Sequence, residues 1–342
     1  MYIYNNPSGE AYDRLIDYAM EVCETFSLMD TRLPEGADYD FAPYFPLRIV
    51  EELKPYQVAE KWVQSGFSSA TESVSYDNPV YVWKCCREAA EILKTYTDHL
   101  QGWMGKGMAE DLCFQKEDGK DWLWTVTHES YRELRVTQDE AEALMEPLRG
   151  VMLVDIKNPP SPEELFELAK YHQSDRLALQ GVGTAKLVER LPEIPSLRSV
   201  ELFDAHLDIL PDGLFALPNL EELTVYAGNL SAIPAAIGQA VKLRALHVVN
   251  ACHPDPHSEP EWSAPSKEQL RMKTLPPEIG KLESLESLNI EYSGLTELPE
   301  ELGNLRQLKY LSLTHHLIEG QPLILKKLRH ARNITFKRDG FF

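Results

Sequence analysis

The 342-residue chain is poor in basic residues and in cysteine. Its 34 lysines and arginines are outnumbered by 54 acidic residues, which gives a net charge of −20 at pH 7. Nucleic acids and anionic membranes are bound by basic surfaces, so we expect neither as a partner. A protein with a basic surface fits this charge better, although an acidic surface can also serve solubility alone.

Long apolar runs and secretion signals are also missing. No apolar run approaches the roughly 18 residues that a bilayer-spanning helix needs. The first residues have neither the basic nor the apolar region of a secretory signal. The five cysteines are odd in number and form no CxxC pair, so we expect reduced thiols and a cytoplasmic location.

The second half of the chain is repetitive. Four leucine-rich units begin at Leu207, Leu230, Met272 and Leu295, and the intervals 207 to 230 and 272 to 295 are both 23 residues. Each unit has an LxxLP-type opening followed by leucines at the same offsets. This pattern resembles the leucine-rich-repeat family in its LxxLPxxIGxLxxLxxLxL form. The resemblance implies an α/β solenoid in which every unit adds one short strand to a curved parallel sheet.

We therefore predict two domains, an α+β domain over 1–150 and the leucine-rich-repeat domain over 151–342. A serine, a proline and two glutamates begin a predicted helix at 162–171, which would cap the open N-terminal end of the solenoid. The interval from 230 to 272 is longer than one repeat and leaves an inserted loop over 253–271. Such insertions are usually functional or disordered.

Alternate residues of the repeat strands face away from the core and would line the concave surface of a solenoid. They combine aromatic and acidic side chains. Tyrosine and phenylalanine are common anchors in protein interfaces, although cross-strand pairing alone also places aromatics there. The candidate partner-binding residues, which include the tryptophan of the inserted loop, are Glu201, Phe203, Asp204, Glu222, Tyr226, His247, Asn250, Trp262, Glu291, Tyr292, Tyr310 and His315.

The first 150 residues hold 14 basic and 28 acidic side chains and five of the six tryptophans. Their apolar spacing predicts helices over 8–26 and from Trp83 to Tyr96, followed by an antiparallel sheet. In that sheet Trp122 and Trp124 should share one face, opposite Leu123.

The stretch from Glu110 to Glu129 resembles short modules of bacterial immunity-type proteins, which neutralise polymorphic toxins. This resemblance covers about twenty residues. It implies a non-catalytic, toxin-blocking role and assigns no binding residue.

Sequence motifs of enzymes are incomplete. His128 and Glu129 begin like a zinc-protease HExxH helix, but Arg132 stands where the second histidine is required. Cys85 and Cys86 fall in a predicted helix with no histidine close in sequence. The His and Cys residues around the inserted loop match no standard zinc spacing. We therefore predict no enzymatic activity, no cofactor and no metal.

The predicted function is protein binding. The sharper hypothesis is a bacterial immunity protein that neutralises a basic toxin by occlusion. The alternative is a leucine-rich-repeat scaffold or effector that recruits a partner without inhibiting it.

Overall fold

The computed structural model describes residues 1–31, 47–68, 73–103, 109–181, 184–204, 207–228, 230–250, 270–328 and 330–338, with side chains omitted from 64 to 77. The chain divides into two compact units, Met1–Pro159 and Pro160–Phe342. The division lies somewhat later than residue 150, because a short strand at 153–154 pairs with the first strand of the chain.

The first unit is an α+β fold built on one antiparallel sheet. Its elements are β1 (Tyr2–Ile3), α1 (Glu10–Val22), β2 (Thr25–Met29), α2 (Arg48–Leu53), β3 (Gln57–Ser68), β4 (Ser73–Lys84), α3 (Arg87–Tyr96), β5 (Glu110–Gln115), β6 (Asp121–Val126), β7 (Tyr131–Leu134), α4 (Gln138–Leu144) and β8 (Leu153–Val154). Short 3₁₀ turns cover Lys54–Tyr56, Leu100–Gly102 and Thr127–Glu129. The eight strands lie in the order β3-β4-β2-β5-β6-β7-β1-β8.

Aromatic rings form the centre of the first unit's core. Phe26 of β2 pairs in register with Trp83 of β4 and with Phe114 of β5, and its ring centre lies 5.4 and 5.7 Å from theirs. All three side chains are fully buried. Because the residues come from three distant segments, their burial ties the whole unit together.

Two helix predictions for this unit were wrong in their extent. The helix expected over 8–26 ends at Val22, and Thr25–Met29 is a strand. The helix expected from Trp83 begins only at Arg87, because the preceding residues pair as strand β4. Helices therefore do not precede the sheet: β1, near the start of the unit, pairs with β7 and β8 near the end of the unit.

The predicted placement of the two sheet tryptophans was also wrong. Trp122 and Leu123 are both buried, because a register shift between β5 and β6 interrupts the alternation of faces. The Trp122 ring packs against Tyr18 of α1 at 5.7 Å. The Trp124 ring instead contacts Tyr131 of β7 at 5.3 Å.

The second unit alternates short parallel strands with helical turns. Its elements are α5 (Pro162–His172), β9 (Arg176–Gln180), α6 (Ala185–Arg190), β10 (Ser199–Phe203), α7 (Asp212–Phe215), β11 (Glu222–Tyr226), β12 (Ala245–Val249), β13 (Ser287–Glu291), β14 (Tyr310–Thr314) and β15 (Asn333–Lys337). Short 3₁₀ helices cover Leu191–Glu193, Ala235–Gln239, Pro277–Lys281, Glu300–Asn304 and Leu323–Leu328. The seven strands pair in chain order from β9 to β15.

Every strand of the second unit has the same register with its neighbour. The second residues of consecutive strands face one another, and so do the fourth. The second-position residues from β9 to β14 are Leu177, Val200, Leu223, Leu246, Leu288 and Leu311, and none exposes more than 2% of its surface. This parallel, in-register core is consistent with the predicted leucine-rich-repeat solenoid.

From β9 to β14, the charged residues just before the strands alternate in sign from one repeat to the next, and Arg332 before β15 ends the alternation. Arg198 donates to Glu221 at 2.8 Å, and Arg244 donates to Glu286 at 2.8 Å. Lys309 pairs with Glu286 from the other side. These exposed ion pairs each add little stability. If a strand paired with the next strand but one, however, residues of like charge would become neighbours, and their repulsion disfavours that wrong pairing.

Helix α5 begins with Ser161, whose hydroxyl accepts a hydrogen bond from the backbone N–H of Glu164. The helix packs against β9. Arg190 joins it to the next turn by ion pairs of 2.6 Å with Glu163, 2.7 Å with Glu167 and 2.8 Å with Glu193. The Arg190 cluster therefore holds the helix at the start of the repeat stack.

The Arg190 cluster predicts a pH dependence of stability. Hydrogen bonds from Arg190 and then Lys170 lower the pKa of Glu193 to about 2. Since a glutamate in the unfolded chain titrates near pKa ~4.3, this carboxylate stabilises the fold above that pH, and the contribution is lost as pH falls through about 2. Urea unfolding of Glu193→Gln should therefore lose less stability between pH 5 and pH 2 than the parent chain. The control is Glu189→Gln on α6, and identical pH profiles for Glu193→Gln and the parent would contradict the prediction.

Candidate functional site

The sheet of the second unit presents its alternate side chains away from the leucine core. The first, third and fifth residues of β9–β15 form three rows, because in-register parallel strands place equivalent residues side by side. We call this surface the ladder face. Its middle row consists of Ala178, Glu201, Thr224, His247, Asn289, Ser312 and Thr335.

Aromatic side chains of the ladder face stack across neighbouring repeats. The rings of Phe203 and Tyr226 are nearly parallel, at 7°, with centres 4.8 Å apart. His247 meets the edge of Tyr226 at 5.7 Å. Burial, followed by the nearby carboxylates of Glu201 and Glu291, raises the pKa of Tyr226. Its hydroxyl therefore stays protonated at neutral pH and can donate a hydrogen bond.

Acidic side chains surround this aromatic group. Glu201 forms an ion pair with Arg176 of the first repeat strand. Glu291 accepts a hydrogen bond from the Asn289 amide at 2.8 Å, and the His247 Nε2 atom lies 3.8 Å from its carboxylate. In the described ranges, Glu291 has no lysine or arginine within ion-pair distance. A cationic group from outside would therefore meet an uncompensated carboxylate.

Tyr292 and His315 share an unusual backbone conformation. They follow β13 and β14 directly, with φ of 52° and 53°. Their rings stack at 4.1 Å with an angle of 12°. Residues other than glycine, asparagine, aspartate and histidine seldom adopt this left-handed region, and a residue held in it costs on the order of 1–3 kcal/mol, so the strain is greater at Tyr292 than at His315. Two aromatic residues are thus held at positions where glycine would be less strained.

Two predicted binding residues are structural instead. Asp204 is 4% exposed and accepts a hydrogen bond from the Thr184 hydroxyl at 2.9 Å. Asn250 is 1% exposed, and its amide exchanges two hydrogen bonds of 3.0 Å with the backbone of Leu230. Both residues directly follow a strand, where the turning chain leaves polar groups that need hydrogen-bond partners. Because both side chains are buried, neither is accessible to a partner.

The remaining predicted residues divide between the surface and the undescribed segment. Glu222 and Tyr310 are exposed at the first position of β11 and β14. The Ser199 hydroxyl approaches the Glu222 carboxylate at 3.4 Å. Trp262, and the loop predicted over 253–271 as far as residue 269, lie outside the described residues.

The sequence pattern did not predict two basic residues of the ladder face. Arg176 and Lys337 lie on the first and last strands, so basic side chains do occur at the ends of the surface. Aligning 177–179 with the later strands would have found Arg176, because the leucine spacing there is the same.

The cysteines of the first unit lie in surroundings unlike those of catalytic thiols. Cys85 and Cys86 precede α3 and are not inside a helix, which corrects the sequence interpretation. Burial, with smaller effects from neighbouring thiols and Glu24, raises the pKa of Cys85 to about 12. A nucleophilic cysteine needs a lowered pKa, so this environment does not favour one.

The second unit is thus an in-register parallel sheet, consistent with a leucine-rich-repeat-like solenoid, with aromatic and acidic side chains on its strand surface. No family model matches the chain. Among solved structures, it is similar to a leucine-rich-repeat protein of Leptospira interrogans, with 23% identity and a TM-score of 0.43 over 58% of this chain. The matched region is 45% of that protein, so the chain spans less than half of its length. Across the described segments, no helix has both the length and the apolar character needed to cross a membrane.

Asn250 gives a test of structural and binding roles. Asn250→Ala should lower the free energy of unfolding by about 1–3 kcal/mol, because it leaves a buried N–H and C=O of Leu230 without partners. Urea denaturation measures the change. Asn289→Ala is the matched control, since that amide bonds a side chain on the surface and not the backbone. Equal, small effects of the two substitutions would contradict the structural role of Asn250.

Proposed function

We propose that this chain is a non-catalytic protein-binding protein and that the ladder face is its binding surface. Two stacked aromatic pairs carry the proposal: Phe203 with Tyr226 on the ladder face, beside the carboxylates of Glu201 and Glu291, and Tyr292 with His315 directly after β13 and β14. Tyrosine and other aromatics supply large contact areas at low entropic cost, and they are frequent energetic anchors of interfaces.

The strained backbone at the second aromatic pair supports a role beyond stability. Glycine at 292 or 315 would remove the steric cost of a positive φ. Cross-strand stacking returns about 0.5–1.5 kcal/mol, which does not clearly exceed that cost. The presence of Tyr292 and His315, in place of glycine, at these positions of positive φ is explained if their rings contact a partner.

We further propose that the sheet is curved, with the ladder face on its concave side, and that the segment 253–271 contributes Trp262 to the same surface. That segment lies in the connection between β12 and β13, the strands that carry His247 and Glu291. A tryptophan joined to the sheet at this point is well placed in the chain to extend the aromatic surface.

The sharper form of the proposal is a cytoplasmic bacterial immunity-type protein that blocks a basic toxin by occlusion. The net charge of −20, the Glu291 carboxylate, which has no lysine or arginine partner among the described residues, and the four free cysteines described in the first unit support it. Long-range attraction would accelerate association with a cationic protein and make the rate fall as salt is added. The resemblance of residues 110–129 to immunity-type modules points in the same direction.

The alternative is a scaffold or effector that recruits its partner without inhibiting it. The same surface would serve both functions. Stacked aromatics and carboxylates explain affinity for a partner, but they do not show whether binding covers the partner's active site. The activity of the bound partner separates the two.

Tyr292→Gly separates binding from folding. The substitution removes the aromatic side chain and suits the backbone φ, so the free energy of unfolding should stay level or rise by about 1 kcal/mol. Affinity for the partner should fall at least about tenfold, as expected when an interface anchor is truncated. Tyr226→Ala tests the first aromatic pair, and Val241→Ala removes an exposed side chain outside the strands as the control. Unchanged affinity in both tyrosine variants would place the binding site elsewhere.

Pull-down with the full chain, followed by an activity assay of the captured protein, tests the immunity hypothesis. We expect a basic protein whose toxic activity falls in proportion to the bound fraction, with slower association at high salt. A partner that stays fully active when bound would establish the scaffold alternative. A toxin from the same locus that is neither bound nor inhibited would contradict the immunity role.

A further inference from the structure

Three side chains of the first unit bring metal-binding atoms together. One potential ligand atom each of Glu110, Asp111 and His128 lies within 4.8 Å of the other two. A single metal ion that binds three such atoms at about 2.0–2.2 Å holds them roughly 3–4 Å apart. Small side-chain rotations would therefore bring the three atoms to bonding distance of one ion.

The strand geometry explains how two adjacent carboxylates converge. Neighbouring residues of a regular strand point to opposite faces of the sheet. Asp111 has a φ of 57°, and the register of β5 with β2 shifts at this place. These irregularities interrupt the alternation, so Glu110 and Asp111 reach the same site.

Asp111 is held firmly by the turn that follows β6. Its Oδ1 atom accepts the backbone N–H of Thr127 at 2.8 Å, and its own N–H donates to the Thr127 hydroxyl at 3.2 Å. Thr127 is 3% exposed. This reciprocal pair fixes one carboxylate oxygen, and the same turn carries His128 as its next residue.

The two nitrogens of His128 face different carboxylates. Nδ1 lies 3.9 Å from Glu110, and Nε2 lies 3.9 Å from Glu129. Both distances are too long for hydrogen bonds, and the first equals the separation of two donors bound to a common ion. A histidine that binds a metal through one ring nitrogen commonly directs the other nitrogen toward a carboxylate. In His128 that carboxylate would be the one of Glu129, which Nε2 faces.

The charge of the cluster also favours a cation. Three carboxylates, those of Glu110, Asp111 and Glu129, lie around one imidazole. Within the part of the chain that the structure describes, the only basic group within ion-pair distance of them is His128 itself. The imidazole nitrogen selects a first-row transition ion over Mg²⁺ or Ca²⁺, which prefer oxygen ligands alone.

We infer that Glu110, Asp111 and His128 bind one Zn²⁺-like divalent ion, with Glu129 orienting the imidazole. Three protein ligands leave further positions of the ion to water. The ion would join the start of β5 to the turn after β6 and stabilise the sheet there. Sequence motifs did not predict this site, because its ligands combine two neighbouring strand residues with a histidine of a different segment.

Calorimetric titration of the full, reduced chain with Zn²⁺ and separately with Mg²⁺ tests the inference. We expect one Zn²⁺ to be lost, or bound at least tenfold more weakly, in both His128→Gln and Glu110→Gln. Mg²⁺ should not compete at equal concentration. The matched control is His99→Gln, because His99 also lies beside a carboxylate, that of Asp98 at 2.9 Å, but belongs to no cluster of three potential ligands among the residues that the structure describes.

A second readout guards against zinc binding by the cysteines. Zn²⁺ should shift the imidazole NMR signals that are missing from His128→Gln and leave those of His99 in place. Circular dichroism confirms that the variants are folded. Unchanged Zn²⁺ stoichiometry and affinity in folded His128→Gln and Glu110→Gln would overturn the inference, as would loss of the ion only in His99→Gln.

Discussion

The second unit depends on one constraint: no repeat can bury its leucines alone. Each strand is five residues long and gains a core only when its second and fourth residues meet those of the next strand. This shared burial fixes the register across the sheet. It holds even between β12 and β13, where Ala245 pairs with Ser287 despite the long segment between them.

The arrangement of the ladder face, the proposed binding surface, follows from the same register. Because equivalent residues are placed side by side, Phe203 meets Tyr226 although 23 residues separate them, and the Glu201 carboxylate reaches Arg176. The rigid core makes these neighbours permanent, so a partner meets an organised surface and not a set of independent side chains. Preorganisation of this kind reduces the entropic cost of binding.

The residue that directly follows a strand has opposite roles in different repeats. After β10 and β12 it is Asp204 or Asn250, buried and bonded to neighbouring groups. After β13 and β14 it is aromatic, in a left-handed conformation and partly exposed. Sequence reasoning treated all four as binding residues, because the strand pattern predicts alternation within a strand and not the path of the chain beyond its end.

The sequence by itself determined the repeat, its strands and most of the surface, since a 23-residue apolar period is a local signal repeated four times. In the first unit, the strand pairing and the side chains that come together were decided by the tertiary structure alone. There, Phe26 belongs to a strand because it is buried between Trp83 and Phe114, and Glu110 approaches His128 through an irregular backbone at Asp111. Such pairings join segments far apart in the chain, and their energy exceeds the local preference for helix that the apolar spacing expresses.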